Sequence, residues 1–231
     1  IIPDAIPSVR YITKGDSLIF WGTGEPSVLQ TELKGSKAFD FLKSSTKKIF
    51  YAPGRYTGNF YGHGWQWDDY NDYYQPEINE LPIMDNVVLV TSGQQPTSFN
   101  ILPNTFANCF VKDTLEKTKP FKVIRDFGAN VFHYPATSIA SKYSQQIPYK
   151  VGVATTVNLL ADTLKKDIGI VDMKMPSSAK TIFNMKSDSV FKQMLLPSDN
   201  FVAEQLLLVY ADKLKEELNT KKVISKIEKQ Y

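Results

Sequence analysis

An α+β fold is predicted by three features of this 231-residue sequence. Short strand-like runs crowd its first two thirds. Two amphipathic helical patterns, over 156–166 and 201–218, fall in its last third. Between 85 and about 148, turn signals separate short β-prone runs and no helix-length period occurs, so that stretch reads as a small β-rich subdomain.

Taken in order, residues 8–12 and 17–21 are predicted strands joined by the turn-prone Lys14-Gly15-Asp16. Gly22-Thr23-Gly24 closes the second strand. It is not a phosphate-binding loop, because the third glycine is missing and Pro26 stands where a helix would need an N–H donor. A short helix is expected over 36–47, with Ala38, Phe39, Phe41 and Leu42 on one side, and a strand over 48–52. Further strands are expected at 86–91, 109–111, 130–134 and 148–153. The helix over 156–166 stops near Gly169. A helical pattern at 189–196 then precedes the longer one, in which Val202, Leu206, Leu207, Tyr210, Leu214 and Leu218 recur at near-helical spacing.

The composition excludes several function classes. With 42% hydrophobic residues the chain buries a substantial core as one large or two small domains. A net charge of +3, from 27 basic and 24 acidic residues, leaves no excess to drive nucleic-acid binding. Lys213, Lys215, Lys221, Lys222, Lys226 and Lys229 gather near the C-terminus, but Glu216, Glu217 and Glu228 among them make a solvated helical face. Cys109 is the single cysteine, so there is no internal disulfide framework and no multi-cysteine metal site. It is expected to be a small buried hydrophobe in a strand. No apolar run approaches the ~18 residues of a membrane-spanning helix. The sequence opens on Ile1-Ile2-Pro3-Asp4 without a signal-peptide pattern, as expected of a chain whose leader is removed or that is a piece of something longer.

Three stretches bear on chemistry. Gly62-His63-Gly64-Trp65-Gln66-Trp67-Asp68-Asp69-Tyr70-Asn71-Asp72-Tyr73-Tyr74 packs two Trp, three Tyr and three Asp into the ten residues from Trp65 to Tyr74. So many carboxylates cannot all be buried without partners, which predicts an aromatic loop with an acidic rim. Such a loop suits sugars or peptides, or folds over its own domain. It lacks the Gly-centred ligand spacing of a calcium loop. His63 and His133 have no supporting motif for a catalytic triad or a two-histidine metal site, so both read as structural. Ser44-Ser45-Thr46-Lys47 and Ser177-Ser178-Ala179-Lys180 match Ser-x-x-Lys by letter, but neither opens a long helix, as lysine-activated serine chemistry requires.

The third stretch is Pro197-Ser198-Asp199-Asn200-Phe201-Val202-Ala203-Glu204, at the junction of two helical patterns. All three residues of Ser-Asp-Asn are favoured helix N-caps. The same tripeptide also sets a hydroxyl and a carboxamide side by side on a rigid corner, as serine hydrolases that recognise penicillin do.

Several segments in order resemble the D-alanyl-D-alanine carboxypeptidase/endopeptidases, the class C low-molecular-mass penicillin-binding proteins. Lys14 to Ser27 is similar to that family's Gly-Asp-Leu…Gly-x-Gly-Asp-Pro segment, with Glu25 replacing the usual Asp. Gly64-Trp65-Gln66-Trp67-Asp68-Asp69 with Tyr73-Tyr74 resembles its Gly-Trp-x-Trp-Asp/Asn-Asp signature. Asp85-Asn86-Val87-Val88 matches the strand that follows it. Residues 149–169 resemble its strand–helix–Gly-Ile segment, and 194–207 its Ser-Asp-Asn-x-x-Ala-Glu stretch. The family's Ser-x-x-Lys belongs upstream of residue 8, and its Lys-Thr-Gly downstream of the helix ending near Leu218. Neither motif is within these residues, since Lys150-Val151-Gly152 falls on the wrong side of Ser-Asp-Asn. The chain is therefore expected to be an interior portion of a larger enzyme.

The resemblance implies part of a β-lactamase/transpeptidase-like serine hydrolase domain with a β-rich inserted domain. Residues 1–150 would form the inserted part, including the Trp-x-Trp-Asp-Asp loop, and 151–231 would belong to the catalytic domain. It implies a serine acyl-enzyme mechanism on peptidoglycan stem peptides in the periplasm or cell envelope, inhibition by β-lactams, and no cofactor or metal. Ser198 would relay a proton to the leaving amine and Asn200 would hydrogen-bond the substrate amide. Asp69 and Tyr74 would line the substrate cleft, Asp69 pairing with the amine of a diamino acid. Asp199 would cap the helix. Two alternatives stay open: a catalytically silent relative that binds cell-wall peptide or an envelope protein partner, and a carbohydrate-binding module built on Trp65 and Trp67.

Overall fold

The structure is a computed structural model that describes residues 4–33, 36–114 and 120–229. Eleven strands and five α-helices follow one another along the described residues. In order they are β1 (Ala5–Lys14), β2 (Ser17–Gly22), α1 (Lys37–Ser44), β3 (Lys48–Tyr51), β4 (Val87–Ser92), β5 (Phe99–Leu102), β6 (Phe110–Asp113), β7 (Ile124–Arg125), β8 (Phe132–Pro135) and β9 (Ser144–Pro148). Then come α2 (Val153–Leu164), β10 (Ile168–Ile170), β11 (Lys180–Lys186), α3 (Ser187–Leu195), α4 (Asn200–Lys213) and α5 (Thr220–Glu228). The mixture of helices with separate small sheets is the predicted α+β class.

The chain divides into two compact units. One comprises the residues up to Gly62, Ile78–Asp85 and those from Gly152 onward; the other comprises His63–Glu77 and Asn86–Val151. One division, at Val151/Gly152, lies beside the expected boundary at 150; the others fall after Gly62, Glu77 and Asp85. In the first unit a five-stranded sheet runs β10-β3-β2-β1-β11. The hairpin of β1 and β2 turns at Gly15, whose φ of 58° is open to glycine. β3 lies parallel to both β2 and β10, while β11 runs antiparallel to β1. These ladders join strands far apart in sequence, which no local pattern reports.

Close approach, rather than phosphate binding, accounts for the Gly-x-Gly. A Cβ on Gly22 would lie 2.1 Å from the Glu80 carbonyl oxygen, and one on Gly24 would lie 2.3 Å from Leu208 Cβ. The segment 78–85 is held by buried polar groups. The Glu80 carboxylate accepts from the Tyr51 hydroxyl at 2.6 Å and from the Gly54 and Tyr56 N–H groups at 3.0 and 2.6 Å. Gln205 of α4 donates to the carbonyls of Gly24 and Asn79 at 2.8 and 2.9 Å. α3 and α4 pack on β1 through Ile6, Leu33, Val190, Val202, Leu206 and Val209.

α4 ends at Lys213, before the expected Leu218; of the predicted stripe only Val202 and Leu206 are buried in it, and Phe201, Gln205, Leu208 and Asp212 are buried besides. The buried Asp212 carboxylate takes Arg10 at 2.6 Å and Arg55 at 2.7 Å. β11 is a strand the sequence pattern misses: its one fully buried residue is Asn184, so apolar alternation is absent. Asn184 Nδ2 instead donates to Glu25 and Ser27, and its Oδ1 accepts from the Lys37 N–H.

The second unit carries two three-stranded sheets, β5-β4-β9 and β6-β8-β7, around Val88, Val90, Phe106, Phe121, Phe132 and Ile147. The strand expected at 148–153 is displaced upstream to β9. Beyond Pro148, the Lys150 N–H is taken by the Asn130 side chain rather than a ladder partner. Cys109 is half-buried at the end of a 3-10 turn, not buried in a strand.

Candidate functional site

The Ser-Asp-Asn corner follows from how α3 stops and α4 starts. α3 ends at Leu195, and the Asp199 N–H returns to the Met194 carbonyl at 2.8 Å. Ser198 between them has φ of 58°, the left-handed region that costs a non-glycine residue about 1 kcal/mol or more. Asp199 is the N-cap of α4, with its Oδ1 accepting the Val202 N–H at 2.9 Å. The cap thus falls to Asp199, as expected. Ser198 and Asn200 are both exposed, and among the described residues neither side chain is hydrogen-bonded. Leu195 and Leu196, beside them, are 68% and 75% exposed.

A second carboxylate beneath this corner escaped the sequence reading. Asp85 sits at φ of 56°. Burial pushes its carboxyl up to about 7, and the charge of Asp199 pushes in the same direction, as does Glu32, while a hydrogen bond with Gln30 opposes them. Burial also raises Asp199, against hydrogen bonds from Val202 and Phe201. Glu204, one turn into α4, is raised by burial too. Only the Asp-Asn pair at the end of the 78–85 segment could have signalled Asp85, and its burial is a tertiary fact. A cavity of ≈ 730 Å³ in this unit is lined by Arg10, Trp21, Arg55, Met173, Met175 and Asp212, and neither Ser198 nor Asn200 reaches it.

In the second unit, Trp67–Asp69 forms a 3-10 turn, and the next turns follow through Asp72 N–H to Asp69 and Gln75 N–H to Asp72. The loop is anchored by Tyr70, whose hydroxyl donates to the Arg125 carbonyl at 2.9 Å, and by Asn71, which accepts from the Arg125 N–H at 2.8 Å. The Arg125 guanidinium lies 5.3 Å from the centre of the Tyr70 ring. With that half folded over its own unit, the other half stays outside: Trp67 is 70% exposed and Tyr73 67%. Asp69 and Tyr74 are brought together. The Tyr74 hydroxyl hydrogen-bonds Asp69, which raises its pKa, and the charges of Asp69, Asp72 and Asp68 add to the effect.

The remaining candidates are apart from these sites. His63 is exposed, and His133 pairs with Asp126 at 3.2 Å on the surface. Ser44 closes α1 rather than opening a helix, and Lys180 begins β11. Among the described residues no group of three metal-ligating side chains is assembled, and no helix is long and apolar enough to cross a membrane.

The chain has a penicillin-binding-protein-like α+β fold along nearly its whole length. The crystal structure of penicillin binding protein 4 from Haemophilus influenzae matches it with a TM-score of 0.61 at 17% identity, covering 98% of this chain and 58% of that one. The crystal structure of the same protein complexed with a novel beta-lactam gives a TM-score of 0.48 at 14% identity, over 96% of this chain and 56% of that one. This chain thus spans a little over half the length of these proteins. No family model matches the sequence, and no curated protein matches it.

Proposed function

We propose that the chain is part of a serine-type D-alanyl-D-alanine carboxypeptidase/endopeptidase acting on peptidoglycan stem peptides in the cell envelope. The observation that carries this reading is the Ser198–Asn200 corner. Asp199 is consumed by capping, so the hydroxyl and the carboxamide on either side of it are left exposed on a backbone that packing holds fixed. The likeness of fold to penicillin binding protein 4 supports it.

In this mechanism a serine outside these residues attacks the peptide carbonyl with lysine as base. The C–N bond then breaks, and Ser198 delivers the proton to the departing amine. Asn200 holds the acyl-side amide in line, where orientation contributes much of the rate. Water then hydrolyses the ester. β-Lactams would acylate the same serine.

The test uses the longer gene product. A fluorescent penicillin is expected to label it covalently, and Ser198→Ala to slow labelling on the order of 10²-fold or more, as for loss of a proton-transfer group. The 231-residue chain alone is expected to stay unlabelled. Failure of the longer product to label would favour a silent relative that binds cell-wall peptide, and unchanged labelling in Ser198→Ala would remove Ser198 from the mechanism.

A further inference from the structure

We infer that the second unit binds a neutral oligosaccharide in the cleft between Tyr73 and Tyr143. The two tryptophans expected to carry sugar binding do not make this cleft, and Trp65 is half-buried. The cleft has a volume of ≈ 660 Å³, walled by Tyr73, Phe121 and Tyr143 with Asp72, Lys122 and Gln146 among them. That volume lies within the ~300–1,000 Å³ of small-molecule sites.

Its floor is built in advance. Gln145 accepts the Val123 N–H and donates to the Val123 carbonyl, both at 2.9 Å, and also accepts the Tyr143 hydroxyl. Asn71 accepts the Arg125 N–H at 2.8 Å. Three separate stretches, around 71–73, 120–125 and 143–146, are thereby pinned to one another, so a ligand does not have to order them on binding. Phe121 and Tyr143 meet edge to face at 5.0 Å, and Tyr73 stands largely in solvent at the mouth.

The chemistry of the walls selects the ligand. An exposed ring beside a cleft is matched by the C–H face of a pyranose, which is apolar on one side and ringed with hydroxyls. Asp72 and Lys122 contribute one charge of each sign, so the cleft does not select an ion, and with the Gln146 amide they offer both donors and acceptors to hydroxyl groups. At Val123 the main chain is already closed by Gln145, so it offers a peptide backbone no ladder there. The inference goes beyond the peptidase reading and does not rest on it.

The experiment is an NMR titration of the 231-residue chain with chitotetraose and, separately, cellotetraose. Saturable amide shifts are expected at Lys122, Tyr143 and Gln146 with at least one sugar, at an apparent Kd on the order of 1 mM. Tyr73→Ala should weaken binding by about tenfold, the effect of losing one aromatic contact, whereas Tyr73→Phe and Trp67→Ala should retain it. Tyr73 is exposed, so the Ala variant is expected to keep the parent spectrum elsewhere; if it does not, Gln146→Ala replaces it with the same expectation of weakened binding. No shifts with either sugar at about 10 mM, equal affinity in the Ala variant, or shifts confined to Trp67 and Phe127 would overturn the inference. No peptide or penicillin is present, so this outcome is independent of whether the longer enzyme acylates.

Discussion

Asp199 Oδ1 accepts a 2.9 Å hydrogen bond from the Val202 N–H, and this one contact sets the backbone on which Ser198 and Asn200 are displayed. Asp199→Ala removes the cap and is expected to cost about 1 kcal/mol of unfolding free energy in urea titrations. Asp199→Asn and Asp199→Ser, which keep a capping oxygen, should retain most of it. A full loss in all three variants would mean that the charge of Asp199, not its cap, matters.

Ser198 holds a left-handed backbone with φ of 58° that glycine adopts without penalty. Ser198→Gly is therefore expected to stabilise the 231-residue chain by about 0.5 kcal/mol, while on the proposed peptidase reading it would also remove the hydroxyl that assists acylation in a longer gene product. Thermal unfolding and penicillin labelling, measured on the two proteins, separate these effects. Destabilisation by glycine would show that the serine side chain has a structural bond.

Burial raises the Asp85 carboxyl to about 7, well above its ordinary value of 3.8. The folded state thus holds this proton more tightly than the unfolded chain does. Its stability contribution is complete below the unfolded value and is lost as pH rises through about 7. Asp85→Asn, which tolerates the φ of 56°, should make the chain more stable than the parent above that pH by on the order of 4 kcal/mol. Below about pH 4 the two should converge. Chemical denaturation across the range reads the difference; parallel profiles would place the Asp85 proton elsewhere.

The buried Asp212 carboxylate is the counter-charge for both Arg10 and Arg55. Asp212→Ala leaves two guanidinium groups facing a gap and is expected to destabilise the first unit by about 3–5 kcal/mol. The double change Arg10→Met with Asp212→Leu should recover part of that loss, because it removes charge from both sides. A loss under about 1 kcal/mol in the single variant would mean that water enters to solvate the pair.

How much of this was legible depends on the range of the interaction. The hairpin at Gly15 and the start of α4 are written in neighbouring residues, through turn chemistry and capping, and both stand where the pattern puts them. β11 was illegible because its buried residue is Asn184, which hides in a strand only by satisfying Glu25, Ser27 and the Lys37 amide. The true end of α4 was obscured for a related reason: Gln205 and Asp212 are buried polar residues whose partners lie on distant segments. At the candidate sites, the Ser-Asp-Asn tripeptide and the aromatic loop could be seen as strings, and of three residue types that cap helices the family resemblance singled out Asp199, where the cap is found. The loop could not be divided into an anchored half and an exposed one.

Local chemistry in the chain was enough to determine the α+β class, the corner between two helices and an aromatic loop rich in aspartate, because each depends on side chains a few residues apart. Only tertiary structure decided that the opening strands share a sheet with β10 and β11, that Asp85 lies half-buried near Asp199, and that Phe121 and Tyr143 build a cleft with Tyr73. Hydrogen-bond ladders, desolvation and ring contacts join groups by distance in space, and that distance is set when the chain folds.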